Sequence, residues 1–317
     1  MKSLVSPILN HAVANTPFSE WAAPIIDQFL ASLDASELTK THYQARLQQF
    51  TLWLDTQPIE PVQRQTILNY KKYLKDRKCE ASTVGAYLGA VRQFFQWTDI
   101  SRIYPDVTKG IKGAKRSRSF RKDALTIPQV HRLLDSIDRS SELGKRDFAL
   151  INLLVRTGLR TVEVIRCKVN SIRPVNSGAV GLWVQGKGRQ EADEFVVLTE
   201  DCISPIMEYF SNRPALKQDA PLFASLSDGS YGSGLSTRTI RRVVKERLRA
   251  IGLNSPRLTS HSLRHTSISL SLEGGASIQE AQKMARHADI STTTIYAHNI
   301  DRSKGVAEIS VQEILRR

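Results

Sequence analysis

The sequence is poor in cysteine, in acidic residues and in long apolar runs, and each shortage narrows the field. Cys79, Cys167 and Cys202 are scattered, with no CxxC pair and no histidine at metal-ligand spacing. Neither a disulfide framework nor a structural zinc site is therefore expected, and the cysteines fit a reducing compartment. No apolar run approaches the ~20 residues that a membrane helix needs, and the first residues lack the apolar core of a signal peptide. The expectation is a soluble, cytoplasmic protein with no membrane partner. Acids number 31 against 45 lysines and arginines, which gives a formal charge of +14 and a sequence pI near 9.8. Such an excess favours a polyanion, because each phosphate neutralised by a cation releases counterions; a merely basic surface is the competing reading. HExxH, GxSxG and GxxxxGK[ST] are all missing, and no evident carboxylate cluster offers to hold Mg2+.

With 317 residues and an apolar content of 41%, the chain has material for two cores. Residues 1–17 show no sustained period and read as a flexible lead-in. From Phe18 a helical period begins, with Ile25 or Ile26, Phe29, Leu30 and Leu33 on one stripe. Thr39 is a plausible N-cap for a second helix through Tyr43, Leu47, Phe50 and Leu54. A third helix carries Ile67, Tyr70 and Leu74, and a fourth follows Ser82 with Val84, Leu88, Val91 and Phe95. Residues 18–108 thus predict a compact helical bundle. Its outer faces carry His42, Arg46, Lys71, Lys72, Lys75, Arg77, Lys78 and Arg92. Each alone reads as a solvated helix face; together they fit a surface that tracks a nucleic-acid backbone without reading sequence, with Lys71, Lys72 and Arg92 as the DNA-binding candidates.

Between Lys109 and Lys122 lie seven lysines or arginines, two glycines and no acid, among them Lys115, Arg116 and Arg118. So sharp a shift in composition marks a basic interdomain linker over 109–122, one that would let two basic domains close round a duplex. Beyond it, Thr126 and Gln129 form a capping box for a helix to about Ile137, and Lys145 to Thr157 reads as a central buried helix. It stops at Thr157-Gly158, and Arg160 stands at the mouth of the next helix. There its fork either meets a phosphate or pairs with Glu163. The period then changes to that of strands: Gly181 to Gln185 and Glu194 to Leu198 flank a Gly186-Lys187-Gly188-Arg189 turn, a hairpin with Lys187 near its tip. Ser204-Pro205 starts another helix. Ser236 caps a basic one with Ile240, Val243, Val244 and Leu248 inward and Arg238, Arg241 and Arg242 among the cations mostly outward, for DNA or for water.

The stretch from His261 to His298 gathers the chemistry. His261, Arg264 and His265 share one face of a helix. Ser277 and Glu280 form a further capping box, and Ser291 caps a short helix that contains Tyr296. Cleaving a phosphodiester without a metal calls for cations where charge accumulates, a nucleophile, and an acid for the leaving oxygen. Arg160, Lys187, His261, Arg264, His287 and Tyr296 supply that list.

TGLRTVE (Thr157 to Glu163), the glycine-flanked Lys187, HSLRHT (His261 to Thr266) and RHADISTTTIYAH (Arg286 to His298) closely resemble the tyrosine recombinase, or phage-integrase, family, of the simple two-domain Xer/Cre-like type. The likeness runs through specific motifs from Leu125 to His298 and continues into the N-terminal half by architecture alone. It implies a mainly α fold with a small antiparallel β-sheet: an N-terminal helical bundle, a mixed α/β catalytic domain over 123–300, and a tail over 301–317 that docks on a neighbouring protomer or folds back on its own domain. By the same resemblance Tyr296 is the nucleophile, Lys187 protonates the leaving oxygen, His261 is a general acid/base, and Arg160, Arg264 and His287 stabilise the transition state. No cofactor, ATP or metal is required. The partners implied are double-stranded DNA bearing a specific recombination site and a homotetramer that holds a Holliday junction, with a second recombinase or accessory factor as an open addition. Helices that begin near Phe18 leave no room for an additional arm-binding domain. Integration, excision, resolution and cassette capture all use this kit; a type IB topoisomerase-like relaxing enzyme and a non-catalytic DNA-binding protein are the alternatives. One departure stands out: the family commonly has Leu-Gly before its second histidine, where this chain has Ala285-Arg286. A glycine there eases a turn or a close approach; an arginine offers a further phosphate contact.

Overall fold

A computed structural model describes residues 17–58, 61–113, 123–176, 178–186, 191–213 and 216–304, with side chains to residue 297. The chain divides into two compact units, Met1–Ser119 and Phe120–Arg317.

The first unit contains α1 (Phe18–Ser32), α2 (Glu37–Leu54), α3 (Arg64–Asp76) and α4 (Ala81–Ile100). The apolar residues recur at helical spacing, so each helix buries one stripe: Phe29 of α1, Leu47 and Phe50 of α2, Ile67 and Tyr70 of α3, Phe95 of α4. The centre is aromatic, with Phe50 edge-on to Tyr70 at 4.9 Å and Tyr70 donating its hydroxyl to Gln49 at 2.5 Å. Burial is the largest of the influences that push the Tyr70 phenol far above its ordinary pKa, so it remains a donor. Two starts differ from those expected. Ser36, not Thr39, caps α2, its hydroxyl accepting the Thr39 amide, and α4 opens at Ala81 behind Glu80. The first shift adds Glu37, Leu38 and Thr39 and the second Ala81 and Ser82, none of them buried, so no core position announces either start.

Three cations of this unit turn towards the chain that leaves it. Lys71 donates to the Lys112 carbonyl at 2.6 Å, Arg92 to that of Ile111 at 2.8 Å, and Arg64 to that of Lys109. Lys72 is exposed. Lys115, Arg116 and Arg118 lie outside the described residues.

The second unit is built around α6 (Glu142–Thr157), preceded by α5 (Ile127–Asp135) with its Thr126–Gln129 capping box. Leu150, Ile151, Leu153 and Leu154 are all fully buried, so this helix is enclosed on nearly every side. After α7 (Thr161–Arg166) comes a three-stranded antiparallel sheet, β1 (Ile172–Pro174), β2 (Val180–Val184) and β3 (Glu194–Val197), in the order β1-β2-β3. Pairing of Val184 with Glu194 makes β2 and β3 the expected hairpin; β1 is a short additional edge. Helices α8 (Glu200–Phe210), α9 (Thr237–Ala250), α10 (Ser260–Glu273), α11 (Ile278–Ala285) and α12 (Ser291–Lys304) complete the unit. The fold is therefore mainly helical with one small antiparallel sheet, as the sequence predicts. Among the described residues no helix is long and apolar enough to cross a membrane.

Three local readings change. Helix α8 does not begin at Ser204-Pro205, because Pro205 lies inside it. A proline cannot donate to the carbonyl four residues back, and here Asn152 Nδ2 supplies that bond to Asp201 O at 2.6 Å. Helix α12 is not short but runs for 14 residues, and at its start the Asp289 carboxylate accepts the Ser291 amide while the Ser291 hydroxyl donates to Asp289 instead of capping. On α9, Arg238, Arg241 and Arg242 are exposed as expected. Lys245 and Arg247, however, turn inward to the Ser255 carbonyl and to Asp147.

Asp147 is 4% exposed and accepts Arg146 Nη2 at 2.7 Å and Arg247 Nη2 at 2.8 Å. Arg146 is itself buried, so removing the carboxylate strands a cation in the core. Asp147→Ala is expected to destabilise this unit by roughly 3–5 kcal/mol, read as a shift of the urea midpoint. A shift worth under about 1 kcal/mol would show that the arginines find water instead.

Candidate active site

The site begins where α6 ends. Gly158 has φ +62°, the left-handed region, and a Cβ there would also meet Ser267 Oγ at 3.2 Å, so glycine is demanded twice. This turn presents the Gly158 carbonyl to Arg264 Nη1 at 2.5 Å and sets Arg160 at the N-cap of α7. One turn on, Glu163 is completely buried. Its carboxylate accepts the Arg160 backbone amide at 2.7 Å, Arg160 Nη1 at 2.8 Å and Arg286 Nη2 at 2.9 Å. Burial drives the carboxyl pKa up, but Arg286 and the bonds from Arg160 outweigh it and hold the group below the usual carboxylate range.

The opposite wall is the C-terminus of α11. The last carbonyls of a helix have no intrahelical donor and carry the negative end of its dipole. Here three of them meet three guanidiniums. Arg286 Nη1 donates to Met284 O at 2.5 Å, Arg264 Nη2 to Ala285 O, and Arg160 Nη2 to Arg286 O at 3.2 Å. Arg286 takes the left-handed conformation, φ 53° and ψ 49°, a geometry that costs a side-chain-bearing residue about 1 kcal/mol. Its side chain is 4% exposed and lies on Glu163. The expected outward phosphate contact is thus replaced by a buried ion pair. Arg264, 2% exposed, has its pKa lowered to about 9 by burial, then by Arg160 and Arg286; at neutral pH it remains a cation.

His287 follows the α11 turn directly. Its amide reaches Gln282 O at 3.2 Å, and its ring Nδ1 lies 2.9 Å from Thr293 Oγ1 on α12. Tyr296, one turn further on α12, is 4% exposed; its ring lies 6.5 Å from that of His287, and its hydroxyl is 2.5 Å from His265 Nδ1. His261 sits exposed on the first turn of α10, its ring edge-on to His265 at 4.9 Å. Burial raises the Tyr296 phenol to about 12, with Arg264 opposing. Burial lowers His265 to about 4, helped by His261 and Arg264, and lowers His287 to about 4, helped by Arg264, Arg160 and Arg286. At neutral pH both histidines are uncharged and the phenol keeps its proton, so the Tyr296–His265 hydrogen bond joins two neutral groups, and Tyr296 donates in the tautomer that leaves Nδ1 unprotonated.

Five of the six expected residues, Arg160, His261, Arg264, His287 and Tyr296, therefore surround one pocket. Lys187 lies outside the described residues. Of the five, Arg160 and His287 line a cavity of about 1170 Å3, together with Arg156, Gly186, Phe195 and Lys283 among others. Gly186, which precedes the turn of Lys187, is thus already at its wall. Sequence reasoning left out two participants: His265, which engages the tyrosine hydroxyl, and Glu163 as a carboxylate shared by two arginines. The signal for His265 was present in its place four residues after His261. The sharing of Glu163 joins residues 123 apart in the chain and had none. Among the described residues no group of histidine, cysteine and acidic side chains could hold a metal ion.

Comparison with known proteins adds an independent line. The chain is 27% identical over 284 residues to the tyrosine recombinase XerD of Listeria innocua serovar 6a, covering 86% of this chain and 93% of that protein. To a tyrosine recombinase of Synechococcus elongatus it is 28% identical over 312 residues, covering 93% and 94%. Its fold matches a crystal structure of the XerH site-specific recombinase bound to palindromic difH substrate, a post-cleavage complex, with a TM-score of 0.72 at 21% identity over 87% of this chain and 81% of that one. Residues 26–99 match the phage integrase N-terminal SAM-like domain. Residues 123–302, more than half of the sequence and every described part of the pocket, match the phage integrase family itself, and the chain belongs to that family.

Proposed function

We propose that this protein is a site-specific DNA recombinase that cuts and rejoins duplex DNA through a 3′-phosphotyrosyl intermediate at Tyr296. The observation that carries the proposal is the Tyr296 hydroxyl, buried beside Arg264 and His287 and hydrogen-bonded to Nδ1 of a neutral histidine. A phenol whose pKa stands near 12 is a poor nucleophile until its proton has somewhere to go. His265 Nδ1 is at hand to accept it as the phenolic oxygen bonds to phosphorus. The P–O bond to the 5′-oxygen then breaks, and Lys187 gives that oxygen its proton. Charge on the non-bridging oxygens rises in the transition state, where Arg160, Arg264 and His287 stabilise it; His261, at the exposed edge, exchanges protons with solvent. Attack by the 5′-hydroxyl of a partner strand reverses these steps and conserves the bond energy without ATP or metal. Four protomers on paired sites would carry two such rounds through a Holliday junction.

In this reading residues 18–108 form the core DNA-binding domain, 109–122 the linker, 123–300 the catalytic domain and 301–317 the docking tail. Lys72, Arg238, Arg241 and Arg242 contribute exposed phosphate contacts, joined by Lys71, Arg92, Lys115, Arg116 and Arg118. The protein works in the cytoplasm, on integration, excision or resolution of DNA elements.

Two measurements test this. Incubated with a randomised library of nicked duplexes, the wild type is expected to yield an SDS-resistant protein–DNA adduct that tandem mass spectrometry maps to Tyr296. The Tyr296→Phe variant should yield none, and an adduct that persists in it would overturn the assignment. The second concerns the histidines. Their folded pKa values of about 4 lie below the ordinary value of about 6.5. Between those limits the unfolded chain binds protons that the folded chain refuses, so stability rises with pH across the window and is lost as pH falls from about 6.5 towards 4. Melting is expected at a lower temperature at pH 5.0 than at pH 7.5, with a smaller drop in His265→Gln; an equal drop would remove His265 from the account.

A further inference from the structure

We infer that Arg286 is a positioning residue of the cleavage site: by neutralising the buried Glu163 and closing the end of α11, it leaves Arg160 and Arg264 with the surplus positive charge that a phosphodiester transition state requires. The inference rests on the recombinase reading above and concerns a residue outside the family's usual pattern.

The charges decide the matter. Arg160, Arg264 and Arg286 surround one carboxylate, and both histidines that face the guanidiniums are neutral, so this cluster of three guanidiniums and Glu163 holds two positive charges in excess. Arg264 spends its fork on two carbonyls, those of Gly158 and Ala285, and does not touch Glu163. Without Arg286 the carboxylate would depend on Arg160 alone. Arg160 would then be held as the partner of a completely buried anion, and the excess would fall to one charge. Arg286 takes Glu163 Oε2 at 2.9 Å, while Arg160 Nη1 keeps Oε1 at 2.8 Å and its Nη2 rests at 3.2 Å on the Arg286 carbonyl. That last bond is the longest of the set, on a side chain 29% exposed at the cavity wall, and is the one a phosphate oxygen can replace.

The same side chain fixes the backbone that carries His287. Arg286 Nη1 closes on the Met284 carbonyl at 2.5 Å, so the guanidinium bridges α7 and the last turn of α11. A glycine in this left-handed position would relieve the backbone yet provide neither the charge nor the bridge. The arginine is kept in a conformation that disfavours it because of what its side chain does at Glu163.

The test uses the full-length protein and the duplex that the wild type captures covalently. Arg286→Gly is expected to slow single-turnover cleavage about 10²-fold, the scale of losing one preorganised stabilising group. The dissociation constant for that duplex should change less than about fivefold, because affinity comes from many phosphate contacts. Glu163→Gln combined with Arg286→Gly removes the anion together with its counter-ion and restores two excess charges. The double variant is expected to recover cleavage to within about tenfold of wild type, a strong departure from additivity. Wild-type cleavage by Arg286→Gly would overturn the inference, as would rate and affinity falling by the same factor, or a double variant that does not cleave, folded or not. If the wild type itself forms no Tyr296 adduct, the recombinase reading fails first, so the two failures remain distinct.

Discussion

The site depends on one electrostatic arrangement: guanidiniums crowded at the wall of a cavity, Arg264 and Arg286 buried and Arg160 partly exposed, held there by a single carboxylate and the blunt end of a helix. Crowded cations repel, and burial removes the solvent that would screen them. Arg264 registers the strain, its pKa drawn down to about 9. What offsets the repulsion is equally buried: the Glu163 carboxylate, the Gly158 carbonyl, and three successive carbonyls of α11 from Met284 to Arg286. The elements involved, α7, α10 and α11, come from separate parts of the sequence and meet at these bonds. Their cost is met when the protein folds, so little reorganisation is left for the moment of reaction.

The state of Tyr296, the proposed nucleophile, follows from the same burial. An apolar setting raises the phenol and lowers the histidines, which widens the gap between donor and acceptor while keeping the bond between them neutral. A neutral Tyr296–His265 pair can be buried against Ile268 and Ala285, in the small apolar cluster under the site, where a phenolate would be costly. Thr293 anchors the His287 ring from the helix that carries Tyr296. The α11 turn, the ring and the nucleophile are thereby linked through one short path, and a displacement of α12 would move all three.

Much of this was legible because local signals and tertiary structure agree. The stripes of α1 to α4, the capping boxes at Thr126 and Ser277, and the strand period on either side of Lys187 each state their element without help from the rest of the chain. Misreadings occurred where a distant group changed the local rule. Pro205 reads as a helix start, yet Asn152, 49 residues from Asp201, serves the carbonyl that proline leaves unmet. Lys245 and Arg247 read as members of an outward basic face, yet the core supplies each with an oxygen. The site divides in the same way. Its residue types and spacings were visible, whereas the pairing of Arg286 with Glu163 exists only once α7 and α11 are brought together.

Two populations of cations therefore do different work. Arg238, Arg241 and Arg242 are exposed on one helix, where salt screens them and each, in the proposed function, would be one contact among many. Arg264 and Arg286 are withdrawn from solvent, Arg160 is partly so, and all three are tied to named oxygens, so their field is less screened and fixed in direction. Under the proposed function, affinity for a duplex would belong mainly to the first group and the rate of strand transfer to the second. A substitution at the exposed face can accordingly shift occupancy without touching chemistry. One at position 286 acts on chemistry through Glu163, because a buried charge has few partners and the loss of any one must be taken up by the others.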